Sequence, residues 1–191
     1  MRKGKTEKMV VLSLLSAMAF ILLMFDFPIL PVFGWLKVDF SDIPVLIGAF
    51  LYGPFGGVVT AFIRSSLHFI TTGGNLPNLI GDTTGFVASV IFMLPIYFGI
   101  SKNKSTKSLV QSLTISTVIL TIFMGIANYF VITPLYLNLL RMDFGMPIST
   151  MVLYGVIPFN LIKGVLVGSV FAVVYKKVLP VLERRVQKIA K

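Results

Sequence analysis

The chain has 191 residues, 56% of them hydrophobic and only 13% charged. Soluble domains carry about 25% charged residues, so lipid rather than water must solvate most of this one. The net charge of +10 is gathered in tails and turns, which argues for a cytoplasmic leaflet over nucleic acid, and the lack of cysteine excludes disulfides and thiolate chemistry.

Arg2, Lys3, Lys5 and Lys8 precede an apolar run from Met9 to Phe25. The run is long for a signal peptide, and Asp26-Phe27-Pro28 is no small-residue cleavage site, so it reads as a retained first helix, 9–25. Segment 26–41, rich in Phe, Pro and Trp, reads as an elaborate loop. Further apolar runs cover 43–53, 55–71, 79–100, 109–133 and 152–178. About 20 apolar residues span a bilayer, so 43–53 is short and its beginning should lie in 37–42. Pro54, with Gly53, Gly56 and Gly57 around it, splits 43–71 into two helices at a tight turn. Segment 134–150, with Arg141 and Asp143, is a second elaborate loop, and the basic tail 176–191 reads as an amphipathic extension resting on anionic lipid. The expectation is an all-α integral membrane protein: one membrane domain, 1–191, of six transmembrane helices with cytoplasmic N- and C-termini.

The orientation follows from the basic residues. With the N-terminus inside, thirteen of the 17 Lys and Arg residues fall in the tails or in the turn carrying Lys102, Lys104 and Lys107. Only Lys37 and Arg141 lie in outer loops, and Arg64 and Lys163 lie within helices.

Polar side chains within a bilayer are costly, so each requires a partner or a function. At about 1.5 Å per helical residue, this topology puts Arg64, His68, Asp82, Asn128, Asn160 and Lys163 in the outer half of the membrane. Asn160 and Lys163 are three apart and share a helix face. Two readings stand. The group is either an interhelical hydrogen-bond network, with Lys163 or Arg64 paired to Asp82, or a polar cavity open to the outside. Helix glue has no reason to favour one leaflet, and the one-sidedness favours the cavity.

Catalytic motifs are missing. His68 is the sole histidine, which argues against a histidine metal site and for a solvated or satisfied side chain. No G-x-S-x-G, H-E-x-x-H or carboxylate cluster occurs, and the lack of G-x-x-x-x-G-K-[ST] means that the chain cannot hydrolyse ATP alone. Small residues recur four apart at Gly56/Thr60, Gly57/Ala61/Ser65, Gly164/Gly168/Ala172 and Ser13/Ala17, a spacing that lets helix backbones approach closely. Internal packing accounts for most of them; the Ser13/Ala17 pair is equally suited to a partner subunit.

The order of these features resembles the substrate-binding S components of energy-coupling factor (ECF) vitamin transporters, and within them the riboflavin-specific group, over nearly the whole chain. The resemblance is carried by the helix Leu12-Ser13-Leu14-Leu15-Ser16-Ala17-Met18-Ala19-Phe20, by Asp39-Phe40-Ser41-Asp42-Ile43-Pro44 and by Gly53-Pro54-Phe55-Gly56-Gly57. It implies that Asn128, Asn160 and Lys163 contact a flavin, that Phe40 and the segment holding Leu76, Asn78 and Asp82 contribute to binding, and that Ser13 and Ala17 dock a partner. Ser13 stands where that family usually has Ala. The aromatics Phe27, Phe33, Trp35 and Phe40 suit either a lid over a flat ring or interfacial anchoring. The implied partners are riboflavin as transported substrate, with no cofactor, together with a transmembrane coupling subunit and two ATPases. Another vitamin such as thiamine or biotin is the alternative within the class. A small membrane enzyme would need an acidic metal motif that is missing, and a packing protein would leave the outer polar residues without a ligand.

Overall fold

The structure, a computed structural model, describes residues 2–142 and 144–189, with side chains described for 5–142 and 144–185. Asp143 and Lys191, and the side chains of Arg2, Lys3 and Lys188, lie outside the described residues.

Helix α1 runs from Arg2 to Met24 and so starts well before the apolar run. Hydropathy marks where lipid begins, whereas Lys and Glu are good helix formers in water and extend the hydrogen-bonded ladder beyond it. The loop that follows holds a two-residue antiparallel ladder, β1 (Phe27–Pro28) with β2 (Lys37–Val38), and a 3-10 turn at Pro31–Phe33. Helix α2 (Asp42–Tyr52) and helix α3 (Pro54–Thr71) are separated by Gly53 alone. That residue has φ 82°, a left-handed conformation that a side chain would disfavour. The two helices pack so closely that a Cβ on Gly56 would lie 2.6 Å from the Gly48 carbonyl oxygen, and one on Gly57 2.9 Å from Ala49 Cβ. The glycine stripe is therefore spent on internal packing.

Helix α4 (Leu76–Lys102) begins where Asn75 accepts from the Asn78 amide at 2.9 Å, and Pro77 suits the first turn. Helix α5 (Thr106–Ala127) is capped in the same way by Ser105, at 3.1 Å from the Ser108 amide. It runs on through two π-helical turns, Asn128–Ile132 and Leu135–Leu139, so that much of the second expected loop is helical. Helix α6 (Ile148–Met151) passes through a third π turn, Val152–Val156, into α7 (Ile157–Lys177). A basic helix α8 (Leu179–Ile189) follows, its buried Leu179 part of the same apolar core as α2.

The molecule is all-α apart from the short ladder. Four helical stretches among the described residues are long and apolar enough to cross a membrane: Lys5–Met24, Leu76–Lys102, Thr106–Leu139 and Ile148–Lys177. Helix α2 is apolar but shorter. Helices α5 and α7 approach where Gly164 meets Thr117, and α4 and α5 where Gly99 meets Ser112. A core of Phe92, Met93, Ile96, Leu120, Val167 and Phe171 fills the middle. The exposed surface carries large apolar side chains such as Phe55, Phe62, Ile122 and Val165, as expected where lipid is the solvent.

Candidate functional site

The beginnings of α2, α4 and α7 and the three π turns share one end of the bundle. There they enclose a cavity of about 340 Å³. Its walls are largely apolar, with Leu120, Met124, Met151, Val156 and Phe159 among them. Polar groups enter at fewer points: Asn128, Asn160, Lys163, Lys37, Asp39, Asp42, Thr84, Thr133 and Tyr136. This combination of an apolar slot with a few convergent polar groups is the usual make-up of a small-molecule site.

Both asparagines sit beside π turns, a distortion frequent at functional positions. Asn128 opens one, and its Nδ2 donates to the Met124 carbonyl at 2.9 Å. Asn160 lies four residues past the end of another, and its Nδ2 donates to the Val156 carbonyl at 2.8 Å. Those two bonds fix the amide orientation, because a flipped amide would set oxygen against oxygen. Each side chain thus keeps its Oδ1 acceptor and one further N–H for another molecule.

Lys163 stands between two carboxylates, with its Nζ 3.6 Å from Asp39 Oδ2 and 3.6 Å from Asp42 Oδ2. Asp42 Oδ1 takes Arg64 Nη1 at 3.2 Å and the Ser89 hydroxyl. Arg64 also donates to Ser41 Oγ at 2.8 Å and to the Gly85 carbonyl at 3.3 Å. Asp39, Ser41, Asp42, Arg64 and Ser89 are all buried. The pairing expected of Lys163 or Arg64 with Asp82 is therefore replaced. Both cations pair with Asp42, and Asp82 instead meets His68 Nδ1 at 2.6 Å. The lone histidine is a satisfied side chain, and no cluster of metal-ligating residues occurs among the described residues.

A second, more polar lobe of about 440 Å³ adjoins the first and shares Trp35, Lys37, Asp39, Gly81, Gly85, Tyr136 and Lys163 with it. Arg64, His68, Asn78 and Asp82 line this lobe. Asp82 Oδ2 and Arg64 Nε are buried without a hydrogen-bond partner.

The loops close over the top. Phe33 lies on Gly155, Trp35 packs edge-on to Phe33 at 5.6 Å, and Trp35 meets Phe144 of the other loop at 4.9 Å between centroids. Of the four loop aromatics, Phe33 and Trp35 line the cavity. Phe27 and Phe40 face each other at 6.4 Å and line neither lobe. Among the expected binding residues, then, Asn128, Asn160 and Lys163 share the main cavity, while Asn78 and Asp82 border the polar lobe. Phe40 and the exposed Leu76 border neither. Asn78 is also occupied structurally, its Nδ2 donating to the Thr72 carbonyl at 2.9 Å.

Sequence reasoning missed Asp39 and Asp42 as partners of Lys163. The available signal was their spacing of three at the start of α2, at the same end of the bundle as Lys163. On α1, Ser13 and Ala17 are exposed, while Leu12, Leu15, Ser16 and Ala19 face inward.

The fold and the site together define a multi-pass membrane protein with a partly apolar cavity at one end. The chain belongs to the family described as "ECF transporter, substrate-specific component", whose model matches residues 7–175. It is 36% identical over 183 residues to the riboflavin transporter FmnP of Bacillus subtilis, covering 95% of this chain and 96% of that protein. It is 34% identical over 181 residues to the riboflavin transporter RibU of Staphylococcus aureus, covering 94% of each. A solved structure described as "Structure and mechanism of the S component of a bacterial ECF transporter" superimposes with a TM-score of 0.78 at 33% identity, covering 94% of this chain and 99% of that one. The family is one of cell-membrane transport components, not enzymes.

Proposed function

We propose that this chain is the riboflavin-binding membrane subunit of an ATP-driven ECF vitamin uptake transporter. The observation that carries the reading is the two-part cavity: a mostly apolar slot bearing Asn128, Asn160 and Lys163, joined to a polar lobe. Riboflavin has the matching parts, a flat ring system edged with donors and acceptors and a polyhydroxyl chain. The ring suits the slot, where two amides and an ammonium meet its polar edge. The chain suits the lobe, whose lining brings His68, Asn78 and Asp82 beside Lys163. The relatives named as riboflavin transporters support the choice over thiamine or biotin.

The chain acts as one membrane domain of six helices, with α2 and α3 as the short members. With the end holding Lys102, Lys104, Lys107, Lys176 and Lys177 as the inner face, both termini lie in the cytoplasm and the cavity opens to the outside. Ligand is captured from outside. Its movement is driven by partners that hydrolyse ATP, a transmembrane coupling subunit and two ATPases, since this sequence has no phosphate loop.

Purified protein is expected to carry a yellow flavin chromophore, or to take up riboflavin in a one-to-one ratio while quenching its fluorescence. Calorimetry showing heat with thiamine or biotin and none with riboflavin would move the assignment to that vitamin. The loop closure has its own test. A Cβ on Gly155 would lie 2.8 Å from the Phe33 ring, so Gly155→Val should lift Phe33 off the π turn. Overpacking of this kind costs about 1–3 kcal/mol, and riboflavin affinity should fall about tenfold, for roughly 1.4 kcal/mol. Unchanged affinity would mean that the loop does not cover the ligand.

A further inference from the structure

Arg64 is the most deeply buried cation among the described residues, 3% exposed, yet it does not line the main cavity. It stands at the head of a chain of alternating charge: Arg64 to Asp42 at 3.2 Å, Asp42 to Lys163 at 3.6 Å, and Lys163 to Asp39 at 3.6 Å. Ser41 joins the two ends, since its hydroxyl accepts from Arg64 Nη1 at 2.8 Å and its backbone N–H donates to Asp39 Oδ1 at 2.8 Å. The four formal charges sum to zero.

The two distances from Lys163 are the informative ones. Charge-assisted N–H···O bonds close to about 2.7–2.9 Å. At 3.6 Å from each carboxylate, the ammonium is shared between two anions and drawn tightly to neither. An ammonium has three donors, and one so placed keeps a donor for a third acceptor. The balance requires Asp42 to be neutralised from its other side, where Arg64 and Ser89 both engage Oδ1. Without Arg64, one cation would face two buried carboxylates. Lys163 would then be drawn into a short bond that a ligand has to break.

We propose that Arg64 is a positioning residue for ligand binding: it neutralises Asp42 and so keeps the Lys163 ammonium available to the molecule in the cavity. This rests on the riboflavin reading for its probe. The role is electrostatic, and a side chain that keeps the positive charge should therefore serve it. Burying an ion pair is often no better for stability than an apolar pair of the same volume, so stability alone does not account for these charges.

The experiment is a calorimetric riboflavin titration, with a thermal melt, on wild type, Arg64→Met, Arg64→Gln and Arg64→Lys. Wild-type binding tests the riboflavin reading by itself. If wild type binds thiamine or biotin instead, the same comparison is made with that vitamin. Arg64→Met and Arg64→Gln, which remove the charge, are each expected to weaken binding at least tenfold. Arg64→Lys, which keeps the charge, should hold affinity within about threefold of wild type. Affinities of the neutral and the charged variants that fall together, or that simply follow the melting temperature, would overturn the proposal and leave Arg64 a structural residue. Should Arg64→Met not fold, Arg64→Gln is the neutral variant compared with Arg64→Lys, and equal affinities of the two overturn the proposal.

Discussion

Lys163→Ala is expected to lower riboflavin affinity at least about a hundredfold and to lower the melting temperature with it. Two effects combine. Removing the ammonium takes away a donor and leaves its ligand acceptor unsatisfied inside an apolar slot, at a cost of roughly 1–3 kcal/mol. It also strands Asp39, whose Oδ2 has Lys163 as its cation, and leaves Asp42 with Arg64 alone. Breaking a buried pair by removing one partner costs about 3–5 kcal/mol. Part of that appears as instability of the empty protein, and part as loss of loop geometry at Asp39.

Asn128→Ala and Asn160→Ala should behave differently. Each asparagine donates only to a carbonyl of its own helix, so the fold should be nearly unaffected. Riboflavin affinity should drop by a factor of about 5 to 150, the equivalent of roughly 1–3 kcal/mol. The contrast is checked by calorimetry and thermal melts on the three variants. Three stable, monodisperse proteins with wild-type affinity would show that the cavity is not the binding site. A Lys163→Ala protein whose stability is unchanged would show that Asp39 and Asp42 do not depend on it.

How much of this was legible in the sequence depended on the kind of interaction. The turn between α2 and α3 was readable because Gly53-Pro54 is a local signal, and the structure gives Gly53 a positive φ. Asn128, Asn160 and Lys163 stood out because lipid makes any polar residue conspicuous, and all three border one cavity. The π turns left no trace in hydropathy, since they change the hydrogen-bond register and not the composition. They carry helix into the start of the expected 134–150 loop, open one distorted turn at Asn128 and end another four residues before Asn160. Pairing across the bundle was also hidden. Lys163 and Arg64 share Asp42, 22 residues before Arg64 in the chain, whereas Asp82 had looked the nearer partner by depth alone. Depth along a helix says nothing about rotation around it. Phe40 illustrates the same gap: it lies in the family-like segment beside Asp39 and Asp42 but turns toward Phe27 and away from the cavity.

Ala17→Trp and Ser13→Trp are expected to abolish energised uptake and co-purification with the coupling subunits, while leaving riboflavin affinity within about threefold, under 1 kcal/mol. Ser13 and Ala17 are four apart on α1, and both are exposed, as are Val10, Leu14, Met18 and Ile21 around them. The inward face of α1 is made by other residues, Leu12, Leu15, Ser16 and Ala19. Two small side chains set among larger apolar ones form a shallow depression in a lipid-facing surface, where another helix backbone can approach closely. Tryptophan fills it. Neither position borders either lobe of the cavity, so the ligand should not register the change. The competing account is that these residues pack within the chain, in which case tryptophan would lower the melting temperature and riboflavin affinity together. Uptake in cells, co-purification, calorimetry and a thermal melt on the same two variants separate the accounts. Loss of assembly with binding and stability intact supports docking through α1, and joint loss of stability and binding sinks it.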